Sequence, residues 1–162
     1  MRVVPAVGDI ATYFSLAAQQ ATQATCYRAH CGTVIVKDGE VIGAGFNAPP
    51  GGDESQRKCE QEFDQSLKPK YDKTCCVHAE WNAIINALRE HGSDVAGSTL
   101  YFMRVDDEGN FTGAGKPFCT VCSRLSLEAG ITEFVLHHDG NAQIYDTSEY
   151  NLASYAPYEL PS

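Results

Sequence analysis

Residues 77–91 read VHAEWNAIINALREH and residues 117–122 read PFCTVC, and these two stretches give the strongest indication of the fold. In the first, apolar side chains recur at three- and four-residue steps, which predicts a helix. Gly92 follows at once and favours its end there. The second stretch opens another predicted helix, which runs from Cys119 to Ala129. Each helix therefore begins with residue types that bind metals.

Short apolar runs rich in β-branched residues surround these helices and predict strands. An Asp38-Gly39 pair between the first two runs is typical of a hairpin turn. The predicted strands are Thr33–Val36, Val41–Phe46, Thr99–Met103 and Ile131–Leu136. Two more helices are predicted, from Ile10 to Thr25 with Asp9 as N-cap and from Ile144 to Tyr155. Strands that alternate with helices predict an α/β fold in three layers, α/β/α, around a mixed sheet.

The length and composition predict one domain over residues 1–162. No apolar run reaches the ~18–20 residues that span a bilayer, so we expect a cytoplasmic protein. The net charge of −9 argues against a nucleic-acid partner, because polynucleotide binding depends on neutralising phosphates. A pocket for one nucleotide needs only one or two cations.

The long polar segment 47–74 predicts a functional loop, with a possible short helix over 55–68.

His78, Cys119 and Cys122 form a candidate zinc site. The Cys-x-x-Cys spacing places both sulfur atoms on one helix face, and the helix N-terminus favours their thiolates. Three ligands leave the fourth tetrahedral position open for water, which distinguishes a catalytic zinc from a structural one. The alternative is a closed structural site in which Cys75 or Cys76 supplies the fourth ligand.

The motifs CVHAEWNAI (residues 76–84) and PFCTVC resemble the paired motifs of the cytidine deaminase superfamily. Residues 25–52, TCYRAHCGTVIVKDGEVIGAGFNAPPGG, resemble the deoxycytidylate deaminase branch. The resemblance implies a cytidine-deaminase-like domain with a mixed five-stranded sheet, and a homo-oligomer. It also implies hydrolysis of a cytosine-type amine, that of dCMP or a related pyrimidine nucleotide or nucleoside, with release of ammonia. One departure is Phe118, which separates Pro117 from Cys119.

The resemblance also implies residue roles. Glu80 would transfer protons as the general acid and base. Asn47 would bind a sugar hydroxyl, the Ala79 backbone would meet the pyrimidine carbonyl, and Arg28 would pair with a phosphate. Without the resemblance, Asn47 is equally a turn residue and Arg28 a solvated charge. Phe118 and, less favoured, Trp81 are candidates to stack on the base.

We expect one catalytic zinc and no second, structural one, because no histidine lies between Gly51 and Val77. Cys59, Cys75 and Cys76 are then free thiols, and the pair His137-His138 lies at a solvent-facing strand end.

Two other functions stay open. One is deamination of another base, such as guanine, adenosine in transfer RNA or cytosine in single-stranded nucleic acid. The other is a zinc-stabilised binding protein without catalysis, against which the intact Glu80 argues.

Overall fold

A seven-stranded mixed sheet lies between helices in the structure, a computed structural model that describes residues 1–59 and 75–159. Its strands are β1 (Arg2–Pro5), β2 (His30–Lys37), β3 (Glu40–Phe46), β4 (Thr99–Val105), β5 (Phe111–Thr112), β6 (Glu133–His138) and β7 (Asn141–Asp146). Its helices are α1 (Gly8–Ala21), α2 (Ala79–His91), α3 (Thr120–Glu128) and α4 (Thr147–Ser154). The α/β class predicted from the sequence is confirmed.

The strand order across the sheet is β1-β7-β6-β4-β2-β3, and β5 pairs with β4. The β4–β6 pair is parallel and the other pairs are antiparallel, so the sheet is mixed as predicted. The expected number of five strands is wrong: the four strands predicted individually are present as β2, β3, β4 and β6, and β1, β5 and β7 bring the total to seven. The β4–β6 crossover passes through α3, whose N-terminus carries two of the three candidate metal ligands.

Strand β7 occupies residues that the sequence assigned partly to a final helix. Asp139 and Gly140 have positive φ values of 47° and 78°, so they form a hairpin turn that joins β6 to β7. The final helix therefore begins at Thr147, with Asp146 as its N-cap, rather than at Ile144. Helix α4 then packs against β6, β7 and α3.

Helix α1 packs on one face of the sheet, and the other three helices pack on the opposite face. Gly32 permits a close approach of α1, since a Cβ there would lie 2.0 Å from the Ala17 carbonyl oxygen. Gly45 does the same for α2 on the other face, where a Cβ would lie 2.5 Å from the Ala83 nitrogen. The three-layer arrangement is confirmed.

Helix α1 begins at Gly8 and ends at Ala21, four residues before the predicted end at Thr25. Its N-cap is Val7, so the prediction that Asp9 caps this helix is wrong; Asp9 lies in the first turn, where its charge complements the helix dipole. The predicted helix over 55–68 lies mostly outside the described residues, apart from a 3-10 turn at Glu54–Gln56. Among the described helices, none combines the length and the apolar character needed to cross a membrane.

Candidate active site

The N-termini of α2 and α3 bring three metal-ligating side chains together. His78 is the N-cap of α2, Cys119 is the N-cap of α3, and Cys122 lies in the first turn of α3. Their ligand atoms all lie within 4.8 Å of one another. The Nδ1 atom of His78 is 3.2 Å from the Cys122 sulfur and 3.4 Å from the Cys119 sulfur. This geometry places the three predicted ligands around one point.

The local structure holds each ligand in place. The backbone N–H of Cys122 donates to the Cys119 sulfur at 3.2 Å, so the cap itself orients this thiolate. Asn82, one turn after His78, donates from Nδ2 to the Phe46 carbonyl at 2.8 Å and so fixes the start of α2 to the end of β3. The ligand positions therefore follow from helix capping and from the strand–helix contact.

The two thiols differ in environment. Hydrogen bonds from Cys122 and then from His78 lower the pKa of Cys119 to about 5. Cys122 has no exposed surface, and this burial raises its pKa well above the usual value. One imidazole nitrogen and two sulfur atoms are donors that zinc binds well. In the part of the chain that the structure describes, no fourth His, Cys, Asp or Glu joins this group, and the rival ligands Cys75 and Cys76 belong to a separate cluster.

Glu80 lies in the first turn of α2, close to the metal ligands. Its side chain is 7% exposed, and desolvation raises the pKa of its carboxyl above the ordinary value. In such a buried carboxyl the ionised form is not strongly favoured over the neutral form. The group is therefore suited to accepting and releasing a proton. It lies next to the metal ligands without belonging to their group.

A cavity of about 260 Å³ opens onto this centre. The residues that the sequence proposed for substrate binding all line it, together with Glu80: Asn47, Ala79, Arg28 and Phe118. Phe118 is 58% exposed at the rim. The structure thus brings these residues to the same cavity as the ligands His78 and Cys119.

Asn47 has a structural task as well. Its Oδ1 accepts from the Cys31 backbone N–H at 2.8 Å, and its Nδ2 donates to the Ala29 carbonyl at 2.7 Å. These two bonds tie the entry to β2 to the exit from β3. An amide has two donor protons and two acceptor lone pairs, so this side chain retains hydrogen-bonding capacity toward the cavity.

Three further cavity residues were not identified from the sequence. Arg104 on β4 and Lys116 in the loop before α3 add positive charge, and Tyr150 on α4 forms part of the wall. The Tyr150 ring stacks on Phe134 at 3.8 Å between centroids. No local motif marks these positions, because they reach the cavity only through the pairing of β4 and the docking of α4.

Trp81 does not line the cavity; it stacks on His78, with ring centroids 5.2 Å apart and planes 22° apart. This contact fixes the orientation of the imidazole. We expect Trp81→Ala to weaken zinc affinity about 10-fold, in the range typical of residues that orient metal ligands. Trp81→Phe keeps a stacking ring and serves as the matched control. Competition with a chromogenic chelator measures the affinity; equal affinities for the two variants would contradict this role.

Comparisons with known proteins agree with this geometry. The family model for the cytidine and deoxycytidylate deaminase zinc-binding region matches residues 8–138. The deoxycytidylate deaminase of Mycobacterium phage D29 is 30% identical over 129 residues, which cover 76% of this chain and 89% of the phage protein. The Homo sapiens deoxycytidylate deaminase is 26% identical over 121 residues, covering 74% of this chain and 57% of the human protein.

Two solved structures have a similar fold. The dCMP deaminase from the cyanophage S-TIM5, in complex with dCMP and dUMP, gives a TM-score of 0.53 at 25% identity and covers 76% of each chain. The cytidine deaminase from Burkholderia pseudomallei gives a TM-score of 0.52 at 18% identity, over 86% of this chain and 94% of that chain. The second likeness concerns the fold alone.

Proposed function

Because the chain belongs to the cytidine and deoxycytidylate deaminase zinc-binding family, we propose that it is a zinc-dependent hydrolase that converts dCMP to dUMP. The cytosine amine leaves as ammonia while a water oxygen takes its place on the ring carbon. The likeness to the cyanophage enzyme solved with dCMP and dUMP supports a pyrimidine nucleotide as the substrate.

The observation that carries this proposal is the charge of the cavity. The chain has a net charge of −9, yet the cavity that contains Glu80 is lined by Arg28, Arg104 and Lys116. Concentrating cations at one place in an acidic protein favours an anionic ligand. A nucleoside has no negative charge that could pair with these cations, whereas the 5′-phosphate of a nucleotide has one. The cavity therefore favours a nucleotide over a nucleoside.

The protein's residues divide the work of the reaction. His78, Cys119 and Cys122 would hold the zinc, which would supply an activated water when bound. Glu80 would accept a proton from the attacking water and deliver it to the ring nitrogen, and would then accept the proton of the new hydroxyl group and deliver it to the departing amine.

Other residues orient the substrate. The N–H of Ala79 is among the first of α2, which have no partner within the helix, and it meets the pyrimidine carbonyl. Asn47 binds the sugar, and Phe118 covers the base from the rim. Arg28 binds the phosphate, since a guanidinium makes paired, charge-assisted hydrogen bonds with phosphate oxygens.

Ammonia release by the zinc-loaded protein, compared over dCMP, deoxycytidine, cytidine, guanine and adenosine, tests the proposal. We expect dCMP to have the highest kcat/KM. Arg28→Ala should raise KM for dCMP at least about 10-fold, the value of a lost hydrogen bond between charged groups. Turnover of deoxycytidine should not change.

The matched control is Arg89→Ala, since Arg89 is exposed in the last turn of α2 and does not line the cavity. An equal loss with dCMP and deoxycytidine would contradict a phosphate role for Arg28. A zinc-loaded protein that prefers deoxycytidine to dCMP would overturn the nucleotide substrate.

A further inference from the structure

Tyr150, in α4, connects this helix to the loop that precedes the ligand Cys119. Its buried ring is held from two sides, stacked on Phe134 with 3.8 Å between centroids and edge-on to Tyr145 with 5.5 Å. Tyr150 lines the cavity together with Phe118 and Cys119. The backbone N–H of Phe118 donates a hydrogen bond to the Tyr150 hydroxyl oxygen. The side chain therefore links α4 to the residue directly before a metal ligand.

The residue before Cys119 has a donor only because it is not a proline. Phe118 separates Pro117 from Cys119, and a proline in its place would have no N–H to donate. The Phe118 side chain is exposed at the rim, so burial of its ring contributes little to holding the backbone in place. The hydrogen bond to Tyr150 supplies a fixed point for the backbone one residue before the ligand.

Helix α4 is itself fixed to α3, which carries the two cysteine ligands. Ser123, directly after Cys122, donates from Oγ to the Asn151 Oδ1 at 2.7 Å, and its Oγ lies 3.4 Å from that of Ser154. Both serines have no exposed surface. Asn151 follows Tyr150 in the sequence. The position of the Tyr150 hydroxyl relative to α3 is therefore set by contacts that do not involve the ligands.

The loop between β5 and α3 is also held to β6. The Ala114 N–H donates to the His137 carbonyl at 3.3 Å, and Nε2 of His138 lies 2.7 Å from the Gly115 carbonyl oxygen, within hydrogen-bond distance. This anchor ends three residues before Phe118. The next anchor along the loop is the hydroxyl of α4, so it controls how the chain enters α3.

We propose that Tyr150 is a positioning residue for the catalytic zinc, which acts through the Phe118 N–H on the orientation of Cys119. This inference rests on the zinc centre of the proposed function. Cys119 is the N-cap of α3, with φ of −83° and ψ of 99°, and its sulfur accepts the Cys122 N–H at 3.2 Å. A change in the backbone angles of Phe118 would move this sulfur away from His78. The hydrogen bond to Tyr150 opposes that change because it restrains the Phe118 nitrogen.

The Tyr150 hydroxyl also lies close to the charged groups of the centre. Burial raises the pKa of Tyr150, and the nearby Glu80, Cys122 and Cys119 raise it further. The hydroxyl is therefore neutral at neutral pH. It accepts the Phe118 N–H without adding a negative charge beside the ligands, so its contribution to the centre is geometric.

Tyr150→Phe tests the proposal, since it removes the hydroxyl and keeps the ring stacked on Phe134. Cobalt titrated into the apo protein, followed by its sulfur-to-cobalt charge-transfer bands, measures the metal affinity of the centre. We expect this affinity to fall about 10-fold, as is typical of residues that orient metal ligands. Tyr145→Phe is the matched control, because it removes the hydroxyl of a neighbouring ring that donates to Gln143 at 3.4 Å. It should leave the affinity unaltered.

Variants of Phe118 show whether the effect passes through the backbone N–H. Phe118→Ala keeps this N–H, so adding Tyr150→Phe should again lower the affinity about 10-fold. Phe118→Pro removes the N–H. Adding Tyr150→Phe to Phe118→Pro should then change the affinity by less than about 2-fold, the agreement that uncoupled sites show.

The cobalt spectrum must report the catalytic centre alone. Cys76 pairs with Cys26 as a disulfide, so the expectation of a free thiol at Cys76 is wrong, whereas Cys59 and Cys75 remain thiols that could also bind cobalt. The spectrum of Cys122→Ser is therefore recorded in parallel and subtracted. That variant lacks one ligand of the catalytic centre and keeps every other cysteine.

An unaltered cobalt affinity in Tyr150→Phe would overturn the proposal, as would an undiminished effect of this substitution in the Phe118→Pro background. A lower kcat/KM for dCMP at unaltered cobalt affinity would place the hydroxyl on the substrate instead and so also overturn it. If Phe118→Pro fails to fold, equal losses in Tyr150→Phe and Tyr145→Phe would contradict the role of Tyr150. The titration needs no substrate, so its failure is distinct from failure of the dCMP assay.

Discussion

Glu80→Gln is expected to lower kcat about 10³-fold, within the range that positioned proton transfer contributes. Glutamine has the same shape as glutamate but cannot carry a proton between water, ring nitrogen and amine. Steady-state ammonia release at saturating dCMP measures this loss. The Glu80 carboxyl is buried in the cavity wall. A solvent-exposed side chain of α2 therefore cannot take over its role in proton transfer.

The variant should retain its fold and its zinc, because an amide in place of a buried carboxylate introduces no new buried charge. Circular dichroism and metal analysis check both points. Glu90→Gln, an exposed carboxylate near the end of the same helix, is the matched control and should retain full activity. A Glu80→Gln protein with a tenth or more of the original kcat would remove Glu80 from the proton-transfer role.

Cys122→Ser is expected to lose the catalytic zinc and, with it, measurable activity. A serine hydroxyl does not replace a thiolate as a zinc ligand, and the side chain has no exposed surface through which another ligand could enter. We expect zinc affinity at this centre to fall more than about 10²-fold, beyond the loss typical of residues that only orient a ligand. Isothermal titration of zinc into the apo protein measures it.

Loss of this zinc should also lower thermal stability, because a ligand that binds only the folded state stabilises it by mass action. The melting temperature of the unaltered protein should fall when a chelator is added, whereas that of Cys122→Ser should change less. Cys31→Ala tests whether loss of any buried cysteine has this effect, since Cys31 is buried but is not one of the three metal ligands. Catalytic zinc retained in Cys122→Ser at unaltered affinity would contradict the ligand assignment.

The motifs carried most of the information about the metal ligands and little about the cavity around them. His78 and Cys119 were recognisable because ligand spacing is local and helix starts have a local signature. Arg104, Lys116 and Tyr150 were not, because they reach the cavity only through long-range pairing. The local sequence does not indicate which side chain of β4 faces the cavity, because three other elements of the fold form that cavity.

Strands β1 and β7 were not predicted from the sequence, for two different reasons. Strand β1 is only four residues long and includes Pro5, which weakens its signal and suits an edge position. Strand β7 follows an Asp-Gly turn equivalent to the Asp38-Gly39 turn that did predict a hairpin. There the helical interpretation was wrong for residues 144–146 alone, where local propensity yielded to sheet pairing, and the helix is present from Thr147 onward.

The pairing of the edge strand β1 with β7 determines when the sheet can be completed during synthesis. Arg2 pairs with Ile144, so β1 waits for a partner strand that is synthesised about 140 residues later. The hairpin of β2 and β3 needs no such delay, since its partners are neighbours along the chain. Contacts over long separations carry a large entropic cost and form late. The catalytic ligands are complete once α3 is made, so the metal centre can assemble before the edge of the sheet is closed.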